Sequence, residues 1–327
     1  MAGARIAVAG AGSIGCYVGG LLAAAGHDVC FLARPRIAQA CAQRGLRMTD
    51  YAGNDVHLPK PQMLETPETA FEGADVILVC TKSGDTAAMA RDIAAHAPSA
   101  QIVSLQNGVD NASTIRAEVP GADVRAAMVP FNVVPEGAAH YHRATSGDIL
   151  IEAGPLPDFD TPTLAWQQVD NIEAVQWGKL LINLGNAVNA LSDLPLLTQL
   201  QDRAWRRLMA DQMAEALRIL SAAGIKPAKT TAAPPGLIPH ILRLPTPLFR
   251  RIAAQMLTID TQARSSMWDD LKQGRRTEID ALQGAIIALA ERYGRQAPLN
   301  ARMRTLIREA EAAGNGPPGL TPADIRL

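Results

Sequence analysis

The sequence predicts an α/β protein with a doubly wound parallel sheet, followed by a second, all-helical domain. Three observations indicate this fold class. A glycine-rich turn follows the first apolar segment, continuous apolar runs then alternate with helical patterns, and long helical patterns dominate from about Thr163 onward. At 327 residues the chain is long enough for two domains, which we place at 1–168 and 169–327.

The first element is a short apolar strand, Arg5–Ala9, that runs into a turn with the spacing G-x-G-x-x-G. Gly10 permits a tight turn, Gly12 leaves the backbone open to a pyrophosphate, and Gly15 lets the next helix (16–25) pack closely on the strand. The start of that helix offers N–H groups to an anion. The predicted cofactor-binding residues of the turn are Gly10, Gly12, Ser13, Ile14 and Gly15. The motif in this setting is typical of a Rossmann domain, although a glycine-rich turn without a ligand has the same spacing.

The second strand, Asp28–Leu32, is followed by a cation where NAD-preferring sites usually carry a carboxylate for the ribose 2′-hydroxyl. Arg34 stands at this tip, nineteen residues after Gly15. A guanidinium binds a 2′-phosphate through two N–H bonds, whereas a carboxylate repels it. We therefore predict NADPH/NADP+ as the cofactor. The alternative is that Arg34 and Arg36 are solvated loop charges.

The rest of the first half alternates in the same way. We predict a helix around Ile37–Arg44, a less regular stretch from Gly45 to Thr66, and a buried parallel strand over Ala74–Cys80. A connection rich in Pro and Asp follows at Pro155–Asp160. The remaining elements are helices at Asp85–His96 and Asn111–Glu118 and strands at Gln101–Leu105 and near Val124–Val129.

The second half carries helical patterns with no strand signal. A Pro-rich stretch with short helical pieces lies at Ile225–Pro247, and the tail after Gly314 is irregular. The apolar segment Ala281–Ala290 fits either a core or a homodimer face, so the sequence leaves the oligomeric state open. The predicted helices are Trp177–Leu191, Asp202–Ala223, Phe249–Gln273, Glu278–Tyr293 and Asn300–Ala313.

Composition excludes several classes of partner. The formal net charge is −1, so no basic excess points to nucleic acid, and no apolar run is long enough to span a bilayer. The N-terminal apolar stretch lacks the pattern of a signal peptide. His140 and His142 have no third ligand nearby, so we expect no metal site. Four scattered cysteines, which suggest free thiols in a reducing cytoplasm, are Cys16, Cys30, Cys41 and Cys80.

Two polar loops follow consecutive buried strands. Lys82 lies in Thr-Lys-Ser after the strand that ends at Cys80, and Asn107 lies in Gln-Asn-Gly after the next strand. Loops at the carboxyl ends of parallel strands line the ligand crevice, which makes both residues candidates for cofactor contact. Taken singly, Lys82 is an ordinary surface lysine and Asn107 an ordinary turn residue.

The helical half supplies the candidates for acid chemistry. Lys179, Asn183 and Asn186 follow helical spacing along an otherwise apolar helix. A desolvated lysine loses proton affinity, which suits a general acid near neutral pH, but the stripe also fits a solvated helix face. Thr277–Asp280 fits a capping box that would place Glu278 in the first turn of a helix. A carboxylate at that position stabilises the helix dipole, so Glu278 could have this structural role alone.

Together these motifs resemble the ketopantoate reductases (2-dehydropantoate 2-reductases) over nearly the whole chain. The matching segments are the glycine-rich start, Leu-x-Arg at the second strand, Thr-x-Lys, Gln-Asn-Gly, Trp-x-Lys-Leu-x-x-Asn, Ser-Ser-Met, Arg-x-Thr-Glu-Ile-Asp and Ala-Pro-Leu-Asn. The resemblance implies NADPH-dependent reduction of 2-dehydropantoate to (R)-pantoate, a step of pantothenate and coenzyme A biosynthesis. The family fold is the one predicted above, with an NADP-binding first domain and a substrate-binding, catalytic second domain.

The resemblance also implies residue roles. Lys179 would be the general acid that protonates the carbonyl oxygen as hydride reaches C2, and Glu278 would position Lys179 and the substrate. Arg34 and Lys82 would hold the 2′-phosphate side of the cofactor. The residues implied at the substrate are Asn107, which would also lie near the nicotinamide, Asn183, Asn186 and Ser266.

The chain departs from the family pattern at Ala187, eight residues after the lysine, where reference enzymes carry a second asparagine. Asn186 lies beside it and is the expected substitute. The segment from Pro234 to Arg251 also looks longer and more basic than in compact members. Two alternatives stay open: reduction of a different 2-oxo acid by the same mechanism, and a non-catalytic NADPH-binding protein.

Overall fold

The computed structural model describes residues 4–257 and 260–326. The chain folds into two compact units, the first ending at Ile172 and the second beginning at Glu173. The first unit is an α/β fold and the second is helical, as the sequence predicts.

The first unit contains five helices and twelve strands among its described residues. The helices are α1 (Ser13–Ala24), α2 (Pro35–Arg44), α3 (Pro67–Phe71), α4 (Thr86–His96) and α5 (Asn111–Glu118). The strands are β1 (Arg5–Ala9), β2 (Asp28–Leu32), β3 (Leu46–Asp50), β4 (Asp55–Leu58), β5 (Gln62–Leu64), β6 (Val76–Val79), β7 (Gln101–Ser104), β8 (Val124–Met128), β9 (Val133–Pro135), β10 (His140–Arg143), β11 (Ile149–Glu152) and β12 (Trp166–Val169).

The main sheet has eight strands in the order β12-β11-β8-β7-β6-β1-β2-β5. The six strands from β8 to β5 are parallel neighbours, while β11 pairs antiparallel with β8. The central strands are fully buried apolar runs, as expected for a sheet covered on both faces. Strand order reverses between β1 and β6, and ligands of doubly wound sheets bind beyond the carboxyl ends of the strands at such a point.

A second sheet, of order β4-β3-β10-β9, covers the other side of α1. The prediction of a less regular stretch from Gly45 to Thr66 is therefore wrong, because that stretch forms β3, β4 and β5. These strands have three to five residues and mixed polarity. Strand β3 also pairs with β10, more than ninety residues away, with Arg47 opposite His140. Such pairing leaves no local periodic signal.

The second unit consists of helices joined by loops. Helix α9 is the longest, and α10, α13 and α14 pack against it, while α7 packs on α12 and α14. No helix in the described part of the chain is long and apolar enough to cross a membrane. The helices are α6 (Ile172–Asn183), α7 (Gly185–Ser192), α8 (Leu196–Gln201), α9 (Arg203–Ala222), α10 (Ile238–Arg243), α11 (Thr246–Ile252), α12 (Ser266–Lys272), α13 (Ala285–Arg292), α14 (Pro298–Ala313) and α15 (Pro322–Ile325).

Two predicted helices and the predicted end of the strands need correction. The single helix expected over Phe249–Gln273 is two helices, α11 and α12, separated by a 3₁₀ turn and a loop; residues 258 and 259 lie outside the described residues. The helix expected over Trp177–Leu191 begins earlier and is interrupted at Leu184. Strand β12 lies beyond Thr163, where strand signals were expected to end, because its mixed sequence lacks alternation.

Candidate active site

The glycine-rich turn has the geometry that its three glycines predict. Gly10 has a φ of +111°, and a Cβ there would lie 3.0 Å from the backbone nitrogen of Thr81, which follows β6. A Cβ on Gly15 would collide with the carbonyl oxygen of Gly10 and approach the Val8 side chain to 2.9 Å. Helix α1 therefore packs on β1 as closely as only glycine permits.

Gly12 differs from the other two glycines of the motif because it faces open space. It is the exposed N-cap of α1, and a Cβ there would have nothing within 4 Å. The first N–H groups of a helix have no acceptor inside the helix, so this end attracts an anion. The turn fits the pyrophosphate of a dinucleotide on geometry as well as on sequence.

Arg34 lies beside this turn. It is the exposed N-cap of α2, directly beyond β2, and the N–H of Ala11 in the glycine turn donates to the carbonyl of Leu32 at 3.0 Å. The glycine turn and the tip of β2 therefore adjoin. Arg34 therefore lies next to the glycine turn at the tip of β2, where the sequence predicts a cation for a 2′-phosphate.

A buried hydrogen-bond network joins the tips of β6 and β7. Gln106 donates to the carbonyl of Thr81 at 3.0 Å and to the hydroxyl of Thr86 at 2.7 Å. Thr86 in turn donates to the Asn111 amide oxygen at 2.8 Å, and Asn111 donates to the carbonyl of Asn107 at 2.6 Å. These bonds fix the loop that carries Lys82 against the loop that carries Asn107.

Ser83 closes the network by donating to the Asn107 carbonyl at 2.8 Å. Lys82 is partly buried and caps the 3₁₀ turn that starts at Ser83. Sequence reasoning missed Thr86 and Asn111, which are the first residues of α4 and α5. Their value is to hold both polar loops in one arrangement.

In the second unit, Lys179 lies on α6 and has an unusual proton affinity. Burial lowers its pKa from 10.5 to about 8, and the negative charge of Glu278 opposes that shift. The two predicted catalytic residues therefore interact electrostatically. A lysine with a pKa of about 8 is still mainly protonated at neutral pH and releases its proton readily, as a general acid requires.

Asn183 and Asn186 continue the stripe of Lys179. All three are partly buried, whereas Leu180 and Leu181 are fully buried. Leu184 interrupts the helix but stays in the right-handed helical region, and its N–H still donates to the Leu180 carbonyl at 2.9 Å. The predicted stripe therefore survives the break between α6 and α7.

Ser266 lies at the exposed start of α12, next to α7. Its neighbour Ser265 fastens the two helices, since the Ser265 hydroxyl donates to the Asn186 carbonyl at 3.2 Å and its N–H donates to the Asn189 side chain at 2.8 Å. Sequence reasoning missed Ser265 and the fully buried Asn189 as supports of Asn186 and Ser266. The sequence signals that could have identified them are the pair Ser265-Ser266 and the asparagine Asn189 in α7.

Glu278 is held differently from the capping box predicted for Thr277–Asp280. It precedes the helical segment rather than lying in its first turn. The Thr277 hydroxyl accepts from the Ile279 N–H at 3.2 Å. The Thr277 N–H, which a capping box would bond to Asp280, donates instead to the Glu311 carboxylate at 2.6 Å. Asp280 instead accepts from Arg304 at 2.7 Å and Arg308 at 2.8 Å. Helix α14 therefore fixes the backbone on both sides of Glu278.

The histidines and cysteines considered in the sequence analysis are the next groups. His140 and His142 both lie 2.9 Å from the Thr49 hydroxyl on the second sheet. Within residues 4–257 and 260–326, no three His, Cys, Asp or Glu side chains are grouped as metal ligands would be. Burial raises the pKa of Cys41 to about 11 and that of Cys16 to about 12, so both thiols stay protonated at neutral pH.

The first unit has the fold and glycine turn of dinucleotide-binding oxidoreductases, and the second unit adds a helical domain with a lysine of lowered pKa. Comparison with known proteins identifies the family. The model "Ketopantoate reductase PanE/ApbA" matches residues 6–155, and its C-terminal counterpart matches residues 171–311. The chain belongs to the ketopantoate reductase family of oxidoreductases, as the motifs predicted.

Individual relatives agree with this assignment. The 2-dehydropantoate 2-reductase of Halobacterium salinarum is 26% identical, over 95% of this chain and all of that protein. The crystal structure of a PanE/ApbA family ketopantoate reductase from Ralstonia eutropha is 31% identical, with a TM-score of 0.80 over 95% of this chain and 99% of that one. A D-mandelate dehydrogenase has the same fold, with a TM-score of 0.77 at 20% identity over 95% of this chain and 99% of that one.

Proposed function

We propose that this protein reduces 2-dehydropantoate to (R)-pantoate with NADPH, with Lys179 as the general acid. Family membership supports the reaction class, and the names of relatives such as the Halobacterium salinarum enzyme support the substrate. The observation that carries the mechanism is the lowered pKa of Lys179 beside Glu278.

The first domain is proposed to hold the cofactor. Gly10, Gly12, Ser13, Ile14 and Gly15 would bind the pyrophosphate at the open start of α1. Arg34 and Lys82 would bind the 2′-phosphate side, and Asn107 would lie near the nicotinamide. When bound, the cofactor supplies the hydride for C2 of the substrate.

The second domain is proposed to bind the 2-oxo acid and supply the proton. Reduction builds negative charge on the carbonyl oxygen, and an ammonium group there lowers the barrier before it donates its proton. Burial prepares Lys179 for this step, while Glu278 keeps enough positive charge on it at neutral pH. Ser266 would bind the substrate carboxylate, and Asn183 and Asn186 would bind its distal polar group.

A second candidate is reduction of a different 2-oxo acid by the same mechanism. Ala187 favours this candidate, because it is fully buried and offers no polar group to a substrate hydroxyl. The D-mandelate dehydrogenase of the same fold was crystallised with NADH and anilino(oxo)acetate, so the fold accepts both an aromatic ligand and the other cofactor. That likeness bears on the fold alone, and we rank this candidate second.

The test is oxidation of NADPH, followed by absorbance, against a panel of 2-oxo acids. The panel contains 2-dehydropantoate, branched aliphatic 2-oxo acids and phenyl-substituted 2-oxo acids, each with NADPH and with NADH. The highest kcat/KM on 2-dehydropantoate with NADPH supports the proposal, and a clear preference for another 2-oxo acid selects the second candidate. Tight NADPH binding with no turnover on any acid, unchanged in Lys179→Ala, would identify a non-catalytic NADPH-binding protein.

A further inference from the structure

Gln283 is a buried polar residue that the mechanism above does not use. Its side chain has no exposed surface, and its amide nitrogen donates to the backbone carbonyl of Leu184 at 2.9 Å. The contact joins two segments ninety-nine residues apart in sequence. A hydrogen bond shielded from water in this way holds its two partners more firmly than an exposed bond does.

Leu184 is the residue at which the helix of Lys179 ends. Helix α6, which carries Lys179 and Asn183, stops at Asn183, and helix α7, which carries Asn186, begins at Gly185. Gln283 therefore bonds the one residue between the two helices. Because that residue lies between the proposed acid and a proposed substrate-binding amide, its position sets the direction of one group relative to the other.

Gln283 lies in the turn that directly follows Glu278. Residues Asp280–Gly284 form a π turn, a wide helical turn with one additional residue, and its first N–H groups bond back to the Glu278 carbonyl, from Ala281 at 3.1 Å and from Leu282 at 3.2 Å. Such turns are rare and occur often at functional sites. The π turn places the Gln283 amide on Leu184 while Glu278 stands at its start.

Fold stability alone does not account for a glutamine at this position. Within the described residues, the Gln283 amide oxygen is buried and has no hydrogen-bond donor. An unpaired buried polar atom costs about 1–3 kcal/mol, a cost that an apolar side chain of similar volume avoids. The N–H bond to Leu184 is the feature that distinguishes glutamine from such a side chain.

We propose that Gln283 is a positioning residue for the reduction: its amide ties the junction of α6 and α7 to the turn that begins at Glu278, and so keeps Lys179, Asn183 and Asn186 aligned with Glu278. This inference rests on the proposed function of Lys179 as general acid. A displacement of about 1 Å in such a group costs on the order of a hundredfold in rate, so loss of one fixed bond is measurable.

The test is Gln283→Met, which keeps the volume and removes the donor, with Gln283→Leu as a second variant. The matched control is Gln212→Met, because Gln212 is an equally buried glutamine of the same unit and bonds Asn300 instead, at 3.2 Å. Wild type and variants are compared for kcat and KM on the best 2-oxo acid, for NADPH affinity, and for amide hydrogen exchange at residues 184–188.

We expect Gln283→Met to lower kcat by roughly 10- to 100-fold. We expect its NADPH affinity to stay unchanged and the junction amides to exchange faster, while Gln212→Met changes neither kcat nor exchange at the junction. The inference would be overturned if a folded Gln283→Met or Gln283→Leu protein kept the wild-type kcat. It would also be overturned if amide exchange at the junction stayed unchanged, or if Gln212→Met lost as much kcat. Wild-type protein inactive on every 2-oxo acid would instead refute the proposed function itself.

Discussion

Replacing Glu278 by glutamine should move the pH profile of the reduction to lower pH. Two effects set the pKa of Lys179: burial lowers it and the negative charge of Glu278 raises it, with a result of about 8 instead of 10.5. The net shift corresponds to about 3 kcal/mol of disfavoured lysine charge. Glu278→Gln removes the opposing charge and keeps the shape, so the pKa of Lys179 must fall further.

The magnitude follows from the contribution of a nearby opposite charge, which shifts a pKa by roughly one to three units. Because a general acid must be protonated to act, kcat/KM falls as the pH rises through the lysine pKa. In the wild type this decline should centre near pH 8. In Glu278→Gln it should centre roughly one to three pH units lower, with a loss of roughly tenfold or more slightly above neutral pH and a much smaller loss in acid.

The assay is kcat/KM for the best 2-oxo acid with saturating NADPH, measured from mildly acid to alkaline pH. The matched control is Glu291→Gln, an exposed glutamate of α13, which should leave the decline where the wild type has it. A Glu278→Gln profile that declines at the wild-type pH or above it would refute the proposed coupling between Glu278 and Lys179. A wild-type decline near the ordinary lysine value would refute the desolvation of Lys179.

Three further predictions concern the remaining site residues. Lys179→Ala should lower kcat by roughly 10²–10⁴ with NADPH affinity unchanged, and a single-turnover loss below about tenfold would show that another group is the acid. Arg34→Ala should weaken NADPH binding by roughly 10- to 100-fold and NADH binding little, as measured by fluorescence titration; equal losses would exclude a 2′-phosphate contact. Gly15→Ala should destabilise the fold by about 1–3 kcal/mol because its Cβ collides with Gly10, whereas Gly12→Ala, whose Cβ meets nothing, should cost less in thermal denaturation.

The sequence predicts the parallel sheet well where the signal is local. Strands β1, β2, β6 and β7 are short apolar runs bounded by glycine or polar residues, and each is found within a residue or two of its expected ends. A strand around His140 and His142 was also predicted and is found as β10, whereas strand β3 could not be found in this way. Strand β3 has mixed polarity, and its pairing with β10 depends on contacts between residues more than ninety positions apart.

The same distinction holds at the candidate site. The stripe of Lys179 and Asn183 follows from helical spacing alone. Spacing does not predict the break at Leu184. Asn183 and Gly185 on either side are weak helix formers, but the carbonyl of Leu184 is bonded by Gln283 from a distant turn, and that contact leaves no local signal. The backbone at Glu278 likewise depends on Glu311 in α14, so a local capping rule predicted the wrong partner.

The second unit contains features that oppose its own stability, and they gather around the proposed acid. A lysine whose pKa is lower when folded than when unfolded disfavours folding, fully at pH below about 8, and this cost disappears as the pH rises toward 10.5. The orphaned oxygen of Gln283 adds a second cost and the π turn an irregular backbone. Buried polar atoms without a partner also occur in the described part of the first unit, at Arg5 Nε and Trp166 Nε1, so it is the combination with the lowered lysine pKa and the π turn that distinguishes this region. Features that lower the stability of a fold are retained where function requires them. Their concentration around Lys179 supports the proposal that this lysine supplies the proton.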